Sequence, residues 1–113
     1  MKFLKLFILF CLVLGFSVNT ILAEELEIDI DAGQQIFSQN CTACHMGGNN
    51  LVVAEKTLKI EALKKFNMDS IQAITNQVTN GNVKGMPAFG GRLSEEDIQN
   101  VANYVLNQAN IGW

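Results

Sequence analysis

The pentapeptide CTACH at residues 41–45 decides the expected chemistry and fold of this 113-residue chain. Cys41 and Cys44 lie three positions apart, and His45, the only histidine, follows directly. Two thiols at this spacing can bond to the two vinyl groups of one haem, and the adjacent imidazole is then held beneath the iron. The motif predicts one covalently bound haem, with Cys41 and Cys44 as attachment points and His45 as an axial iron ligand.

Three other uses of a Cys-X-X-Cys pair fit the sequence less well. A disulfide between Cys41 and Cys44 would close a very small loop and leave His45 unexplained. A thioredoxin-like redox site requires a βαβ pattern, and strand-like alternation is absent. A zinc site would need a fourth ligand, and no second cluster at ligand spacing supplies one. Covalent haem attachment is therefore the favoured interpretation.

Haem iron needs a second axial ligand, and Met86 is the expected donor. It lies 41 residues beyond His45, which is ample to place a second wall around the haem. Pro87 favours an extended conformation at Met86, and the surrounding glycines let the loop pass close to the ring. The other methionines lie in the expected leader, beside the histidine or at a helical packing position: Met1, Met46 and Met68.

The first 23 residues have the pattern of a secretory signal peptide. Two lysines within residues 1–5 precede an apolar run over residues 6–16, and Ala23 precedes two glutamates. This run is too short for a bilayer core, which needs about 20 residues, so a retained membrane anchor is the less favoured alternative. We expect a cleaved signal peptide over 1–23 and one domain over 24–113.

Charge and composition exclude one class of function and favour a bound cofactor. After removal of the leader, six Lys and Arg face eleven Asp and Glu, which gives a formal net charge of −5. Nucleic-acid-binding proteins carry the opposite sign, so that class is excluded. A domain of about 90 residues with few aromatics would be marginal without a disulfide, a metal or a large apolar cofactor. Its aromatics are Phe37, Phe66, Phe89, Tyr104 and Trp113.

Apolar spacing predicts an all-α domain of about four short helices. The first is expected over residues 31–40, with Asp31 as the candidate N-cap. The second opens at Thr57. The third begins at Asn67 and ends at Gly81, a residue suited to the left-handed conformation that stops a helix.

The last helix is the most strongly marked in the sequence. A glycine-rich loop over residues 82–92 precedes it, and Ser94 and Asp97 have the spacing of a capping box. Apolar residues then recur on one face of the helix: Ile98, Val101, Ala102, Val105 and Leu106.

Over about residues 28 to 113, the chain resembles the cytochrome c6 family. The CTACH motif is common to class I c-type cytochromes, whereas MPAFGGRL at residues 86–93, preceded by QVTNG at residues 77–81, is much narrower. Shorter matching segments are GGNN at 47–50, KTL at 56–58, AIT at 73–75, and NYVLNQ at 103–108 ahead of Trp113. The resemblance implies the small class I cytochrome c fold, with about four short helices wrapped around one covalently bound haem c.

The resemblance also implies a function. It implies a soluble, monomeric one-electron carrier, not an enzyme, with no membrane span in the mature protein. Such a carrier takes electrons from cytochrome f of the cytochrome b6f complex and delivers them to photosystem I in the thylakoid lumen. A 23-residue leader is too short for import from the cytosol, so we expect a plastid or cyanobacterial gene.

Two alternatives remain for the function. A general periplasmic or luminal carrier that feeds a terminal oxidase would use the same residues. A haem enzyme or gas sensor would leave the sixth iron position open, with Met86 unbound.

Several further residues gain an expected role from the resemblance. Gln77 is expected near the haem, where it helps to set the reduction potential. Arg92 corresponds to a basic docking residue at the haem rim, and Lys84 flanks Met86 on the other side. Gly33, Phe37 and Tyr104 are expected where the first and last helices cross. Many relatives have a proline whose carbonyl accepts the imidazole N–H of the proximal histidine, and here Ala54 stands near that point.

Overall fold

The structure, a computed structural model, describes residues 27–113 and, ahead of them, Lys5 alone. Apart from Lys5, the signal peptide expected over 1–23 lies outside the described residues. Residues 27–113 form helices and loops without a strand, which confirms the all-α prediction. The helices are α1 (Ile30–Asn40), α2 (Thr42–His45), α3 (Ile60–Lys65), α4 (Ile71–Asn80) and α5 (Glu95–Ile111), with a 3-10 turn at Met46–Gly48.

Helix α1 is capped by Asp29 and not by Asp31. The Asp29 carboxylate accepts a hydrogen bond from the backbone N–H of Ala32 at 3.0 Å, and Asp29 itself is extended. Its backbone N–H is bonded to the Asn100 side chain at 3.0 Å, which fixes the point where the helix starts. Asp31 instead lies in the first turn, where its negative charge interacts favourably with the positive end of the helix dipole.

Helix α3 begins later than the sequence pattern predicts. It starts at Ile60 and not at Thr57, because Lys59 is extended and tertiary hydrogen bonds hold the backbone of Leu58. The backbone N–H of Leu58 donates to the carbonyl of Gly48 at 2.7 Å, and the Leu58 carbonyl accepts from the Trp113 indole at 2.8 Å. These bonds engage the backbone N–H and carbonyl of Leu58, which in a helix would point along the helix axis. A helical turn starting at Thr57 would therefore break them.

Helix α4 also begins later than predicted, although its end is as expected. Asn67 has a φ of 56°, which interrupts the helical path, and Ser70 caps the helix through a 3.1 Å bond from the N–H of Ala73. Met68 therefore lies in the connection between α3 and α4 and not in a helix. Gly81 ends α4 at the predicted position, but with φ 63° and ψ −162° it is not in the left-handed helical conformation that was expected.

The crossing of α1 and α5 holds the two ends of the domain together. A Cβ at Gly33 would overlap with the backbone of Asn100, so only glycine allows the helices to approach this closely. The Phe37 and Tyr104 rings lie beside this point, with centroids 5.4 Å apart. The predicted contact among Gly33, Phe37 and Tyr104 is confirmed.

The core is built on the predicted apolar face of α5. Ser94 and Asp97 form the predicted capping box, which sets the helix register. Leu106 is only half-buried and packs at the edge of the core. The buried residues of this core cluster are Phe37, Ile74, Val78, Phe89, Ile98, Val101, Ala102 and Val105. No helix within residues 27–113 is long and apolar enough to cross a membrane.

Candidate haem-binding site

The CTACH motif forms a single helical turn directly after α1. The backbone N–H of Cys41 is bonded to the carbonyl of Phe37 at 2.8 Å, and that of His45 to the carbonyl of Cys41 at 2.9 Å. Residues three apart on such a turn lie on one side of it, so Cys41 and Cys44 are neighbours. Both thiols are free in the structure.

The environment of Cys41 also argues against a redox-active dithiol. Cys41 packs against the hydrophobic core, whereas Cys44 is exposed. Burial, with a smaller contribution from Cys44, raises the pKa of the Cys41 thiol to about 11. A reactive thiol of the thioredoxin type needs a lowered pKa, so the raised pKa of Cys41 argues against a thioredoxin-type nucleophile at this position.

The hydrogen bond made by His45 defines which ring nitrogen is free. Its Nδ1 lies 2.9 Å from the backbone carbonyl oxygen of Asn49. A carbonyl can only accept, so Nδ1 carries the proton and Nε2 of the neutral ring keeps its lone pair. This is the arrangement expected of a histidine that ligates a metal through Nε2.

Two glycines bring the Asn49 carbonyl back to the histidine. Gly47 and Gly48 have φ values of 64° and 77°, a conformation that glycine adopts without strain. The backbone N–H of Leu51 then donates to the carbonyl of Cys44 at 3.0 Å and closes the loop. The acceptor for the imidazole is thus Asn49 and not a residue near Ala54.

Met86 is held by a second set of contacts. The side-chain amide of Gln77 donates from Nε2 to Met86 Sδ at 3.4 Å. Asn82 brackets the same residue: its backbone N–H donates to the Met86 carbonyl at 3.0 Å, and its Oδ1 accepts from the Met86 N–H at 3.2 Å. Met86 is half-buried and packs against the core.

Gly81 lets this loop fold back against the end of α4. A Cβ at Gly81 would overlap with the backbone of Met86 and Pro87. The backbone N–H groups of Phe89 and Gly90 then donate to carbonyls at the end of α4, at 2.9 and 3.1 Å. The loop after α4 is therefore a fixed part of the fold.

Both basic residues expected at the haem rim are exposed on the loop that carries Met86. The Arg92 guanidinium stacks over the Phe89 ring, with its central carbon 4.7 Å from the ring centroid. Because Phe89 is buried, this stacking fixes Arg92 on a rigid base. Lys84 lies in the turn that precedes Met86, where its backbone N–H is bonded to the Asn82 side chain at 3.0 Å.

Sequence reasoning missed Asn49 and Asn82, the residues that hold the histidine and the methionine loop. Each has a local signal. Asn49 follows two glycines at a four-residue distance from His45, and Asn82 opens a turn, a position that asparagine favours because its side chain bonds nearby backbone groups.

Within residues 27–113, no three His, Cys, Asp or Glu side chains converge as a metal-ion site would require.

The chain is similar to known proteins along its length. A family model described as cytochrome c oxidase, cbb3-type, subunit III matches residues 28–105. Cytochrome c6 of Gracilaria tenuistipitata var. liui is 53% identical over 113 residues, the whole of both chains. Cytochrome c6 of Bumilleriopsis filiformis is 59% identical over 85 residues, which cover 75% of this chain and 98% of the relative. The crystal structure of cytochrome c6 from the diatom Phaeodactylum tricornutum superposes with a TM-score of 0.73 at 53% identity, covering 75% of this chain and 99% of that one.

Proposed function

This chain belongs to the cytochrome c6 family, and from that premise we propose that it is a soluble electron carrier of the thylakoid lumen. It has the class I c-type cytochrome fold and carries one covalently bound haem c. In the proposed role it accepts one electron from cytochrome f of the cytochrome b6f complex and delivers it to photosystem I.

The residues of the site fit this group. Cys41 and Cys44 are free thiols on one helical turn and would hold the haem through thioether bonds. His45 would ligate the iron through Nε2, and Met86 through Sδ. The observation that carries the proposal is the bond from His45 Nδ1 to Asn49, because it fixes the ring and directs Nε2 as the nitrogen available to a metal.

When bound, haem c supplies a reversible one-electron couple between ferric and ferrous iron. With both His45 and Met86 as ligands, the iron would have no position for oxygen, peroxide or another small substrate, which supports a carrier and not an enzyme. Met86 would contribute a soft, neutral donor that favours ferrous iron and therefore a high potential. Gln77 donates to the same sulfur and, by withdrawing electron density from it, would favour the ferrous state further.

Charge supports the proposed mode of docking. The domain without its leader has a formal net charge of −5, so long-range attraction must come from basic partner surfaces. Arg92 and Lys84 place positive charge on the loop that carries Met86. A local positive spot on an acidic body orients the encounter and acts mainly on the association rate.

The leader remains part of the proposal. Relatives that match over 85 residues with 98% of their own length are consistent with removal of an N-terminal segment. We propose cleavage after Ala23, which N-terminal sequencing of the isolated protein tests directly. Glu24 as the first residue supports it, and a retained Met1 contradicts it.

Two measurements on the purified protein test the proposed function. A sharp α band in the reduced spectrum, with a far-red band in the ferric spectrum, is expected for His and Met ligation. Flash-oxidised photosystem I should then be re-reduced by the protein, and cytochrome b6f should reduce it in turn. Faster reaction with a terminal oxidase than with photosystem I would favour the general carrier instead.

A further inference from the structure

Trp113 lies against the loop that carries the proximal histidine, although it is 68 positions away from His45 in sequence. We propose that Trp113 is a positioning residue for His45, which it controls through Gly48 and Asn49. This inference rests on the proposed function, because it assumes that His45 ligates haem iron.

A hydrogen bond ties the indole to the loop. Trp113 Nε1 donates to the carbonyl of Leu58 at 2.8 Å. The backbone N–H of Leu58 in turn donates to the carbonyl of Gly48 at 2.7 Å. Trp113 and Gly48 are therefore joined through a single residue, and the segment between Gly48 and Leu58 is closed at its base.

The indole also packs directly on Gly48. A Cβ at this position would overlap with three atoms of the Trp113 ring, so the ring lies flush against the glycine backbone. Phe37 and Tyr104 hold the indole from the core, with ring centroids at 5.3 and 6.2 Å. The indole is thus packed between the core and the loop that contains Gly48, and contacts on both sides fix its position.

Only one residue, Asn49, separates Gly48 from the hydrogen bond to His45. Asn49 directly follows Gly48, and its carbonyl accepts the Nδ1–H of His45. A shift of Gly48 would therefore move the acceptor and lengthen the bond. That bond fixes the imidazole plane and increases the basicity of Nε2. A more basic ligand stabilises ferric iron, so loosening the bond should raise the reduction potential and expose the Nδ1 proton to solvent.

Two variants of the holoprotein separate the hydrogen bond from the packing. Trp113→Phe keeps an aromatic ring but removes the Nε1 donor. Trp113→Ala removes both. The first readout is the rate of hydrogen exchange at His45 Nδ1 in the reduced protein, measured by NMR. The second readout is the midpoint potential. The thermal unfolding midpoint of each variant is also measured, so that effects on His45 can be compared with the loss of stability.

We expect the Nδ1 proton to exchange severalfold faster in Trp113→Phe and at least tenfold faster in Trp113→Ala. At a fixed applied potential, the ratio of reduced to oxidised protein should rise about threefold in Trp113→Ala. Gly48→Ala should reproduce these effects, because its Cβ would displace the indole and strain a backbone with a φ of 77°.

Ile98→Ala is the matched control. Ile98 is a buried core residue near the other end of α5, about 20 Å along the helix from Ile111. This variant should lose stability but keep the wild-type exchange rate and potential. If the Trp113 variants also keep the wild-type exchange rate and potential, Trp113 has only a packing role and the inference is wrong. A wild-type protein without the spectrum of His and Met ligation would instead contradict the proposed function.

Discussion

At the scale of single residues, Met86 is the proposed second axial ligand, and its removal should leave one iron position open. Met86→Ala should lower the reduction potential by more than about 59 mV, the one-electron equivalent of a tenfold change in equilibrium constant. The physical reason is the loss of a soft donor that favours ferrous iron. The vacated position should bind carbon monoxide in the reduced protein, which a visible titration measures.

Met68→Leu is the control for this variant. Met68 lies in the connection between α3 and α4, where its backbone N–H is bonded to the carbonyl of Leu63 at 2.7 Å. The change should leave the potential unaltered and carbon monoxide unbound. Equal behaviour of the two variants, or an effect of Met68 alone, would show that the assigned ligand is wrong.

Gln77 should tune the potential without changing the ligands. Gln77→Leu removes the amide donor that lies 3.4 Å from Met86 Sδ. A neutral hydrogen bond contributes about 0.5–1.5 kcal/mol, so the potential should fall by roughly 20–65 mV. Redox titration measures this fall, and Gln72→Leu, an exposed change on the same helix, should produce none. An unchanged potential in Gln77→Leu would remove Gln77 from the redox site.

The residue types of the candidate site were predictable, but their supporting contacts were not. The spacing of Cys41, Cys44 and His45 carries its chemistry within five residues, so the sequence alone points to haem. The partner of His45 depends on how two glycines turn the backbone, and the sequence does not encode that path in an obvious way. The same holds for Asn82, whose side chain binds Met86 only after the loop has turned back.

At the scale of elements, the close approach of α1 and α5 depends on Gly33. Gly33→Ala gains about 1 kcal/mol of helix propensity, but its Cβ would overlap with the Asn100 backbone, which cannot move easily. Overpacking of this kind costs about 1–3 kcal/mol, so we expect net destabilisation, measured by guanidinium unfolding of the holoprotein.

Gly91→Ala is the matched control for this effect. A Cβ at Gly91 would meet nothing within 4 Å. Its stability should therefore stay within about 0.5 kcal/mol of wild type. If Gly33→Ala is equally neutral, the helices can separate slightly without cost, and the crossing does not require glycine.

The helix boundaries show which local signals the fold overrides. Ser94 and Gly81 were predictable because a cap or a stop acts within a few residues of its own position. The start of α3 was not, because the backbone groups of Leu58 are bonded to Gly48 and Trp113, which are distant in sequence. The local sequence pattern thus predicts helix ends that are set by neighbouring residues. It fails where backbone groups are bonded to residues distant in sequence.

At the scale of the whole molecule, the haem should be a folding element as well as a redox centre. The core residues are mostly aliphatic, and Cys41 and Met86 pack only partly against them. A haem-free protein with both Cys41→Ala and Cys44→Ala should therefore lose most of its helical circular dichroism. A cooperative thermal transition with native helix content in that protein would contradict this prediction.

Docking to photosystem I should depend on Arg92 through its charge. Arg92→Glu should slow electron delivery severalfold at low ionic strength and leave the spectrum intact, because a rim charge steers association. The difference should shrink as salt rises, since the Debye length falls from about 30 Å at 0.01 M to roughly 3 Å at 1 M. Flash-induced reduction of photosystem I across a salt series measures this.

Lys64→Glu provides the control for net charge. It makes the same change in charge at an exposed position on α3, away from the Met86 loop. Its effect should be clearly smaller than that of Arg92→Glu. Equal rates for the two variants at every salt concentration would reduce Arg92 to an ordinary solvated charge.

The crossing of α1 and α5 has a consequence for the chain as a polymer. Gly33 and Asn100 meet although 67 positions separate them, so the contact closes a loop that contains all four proposed haem-binding residues. Closing such a loop costs about 3.7 kcal/mol of chain entropy by its logarithmic length term alone. Opening this crossing would restore that entropy and release together the two segments that carry His45 and Met86.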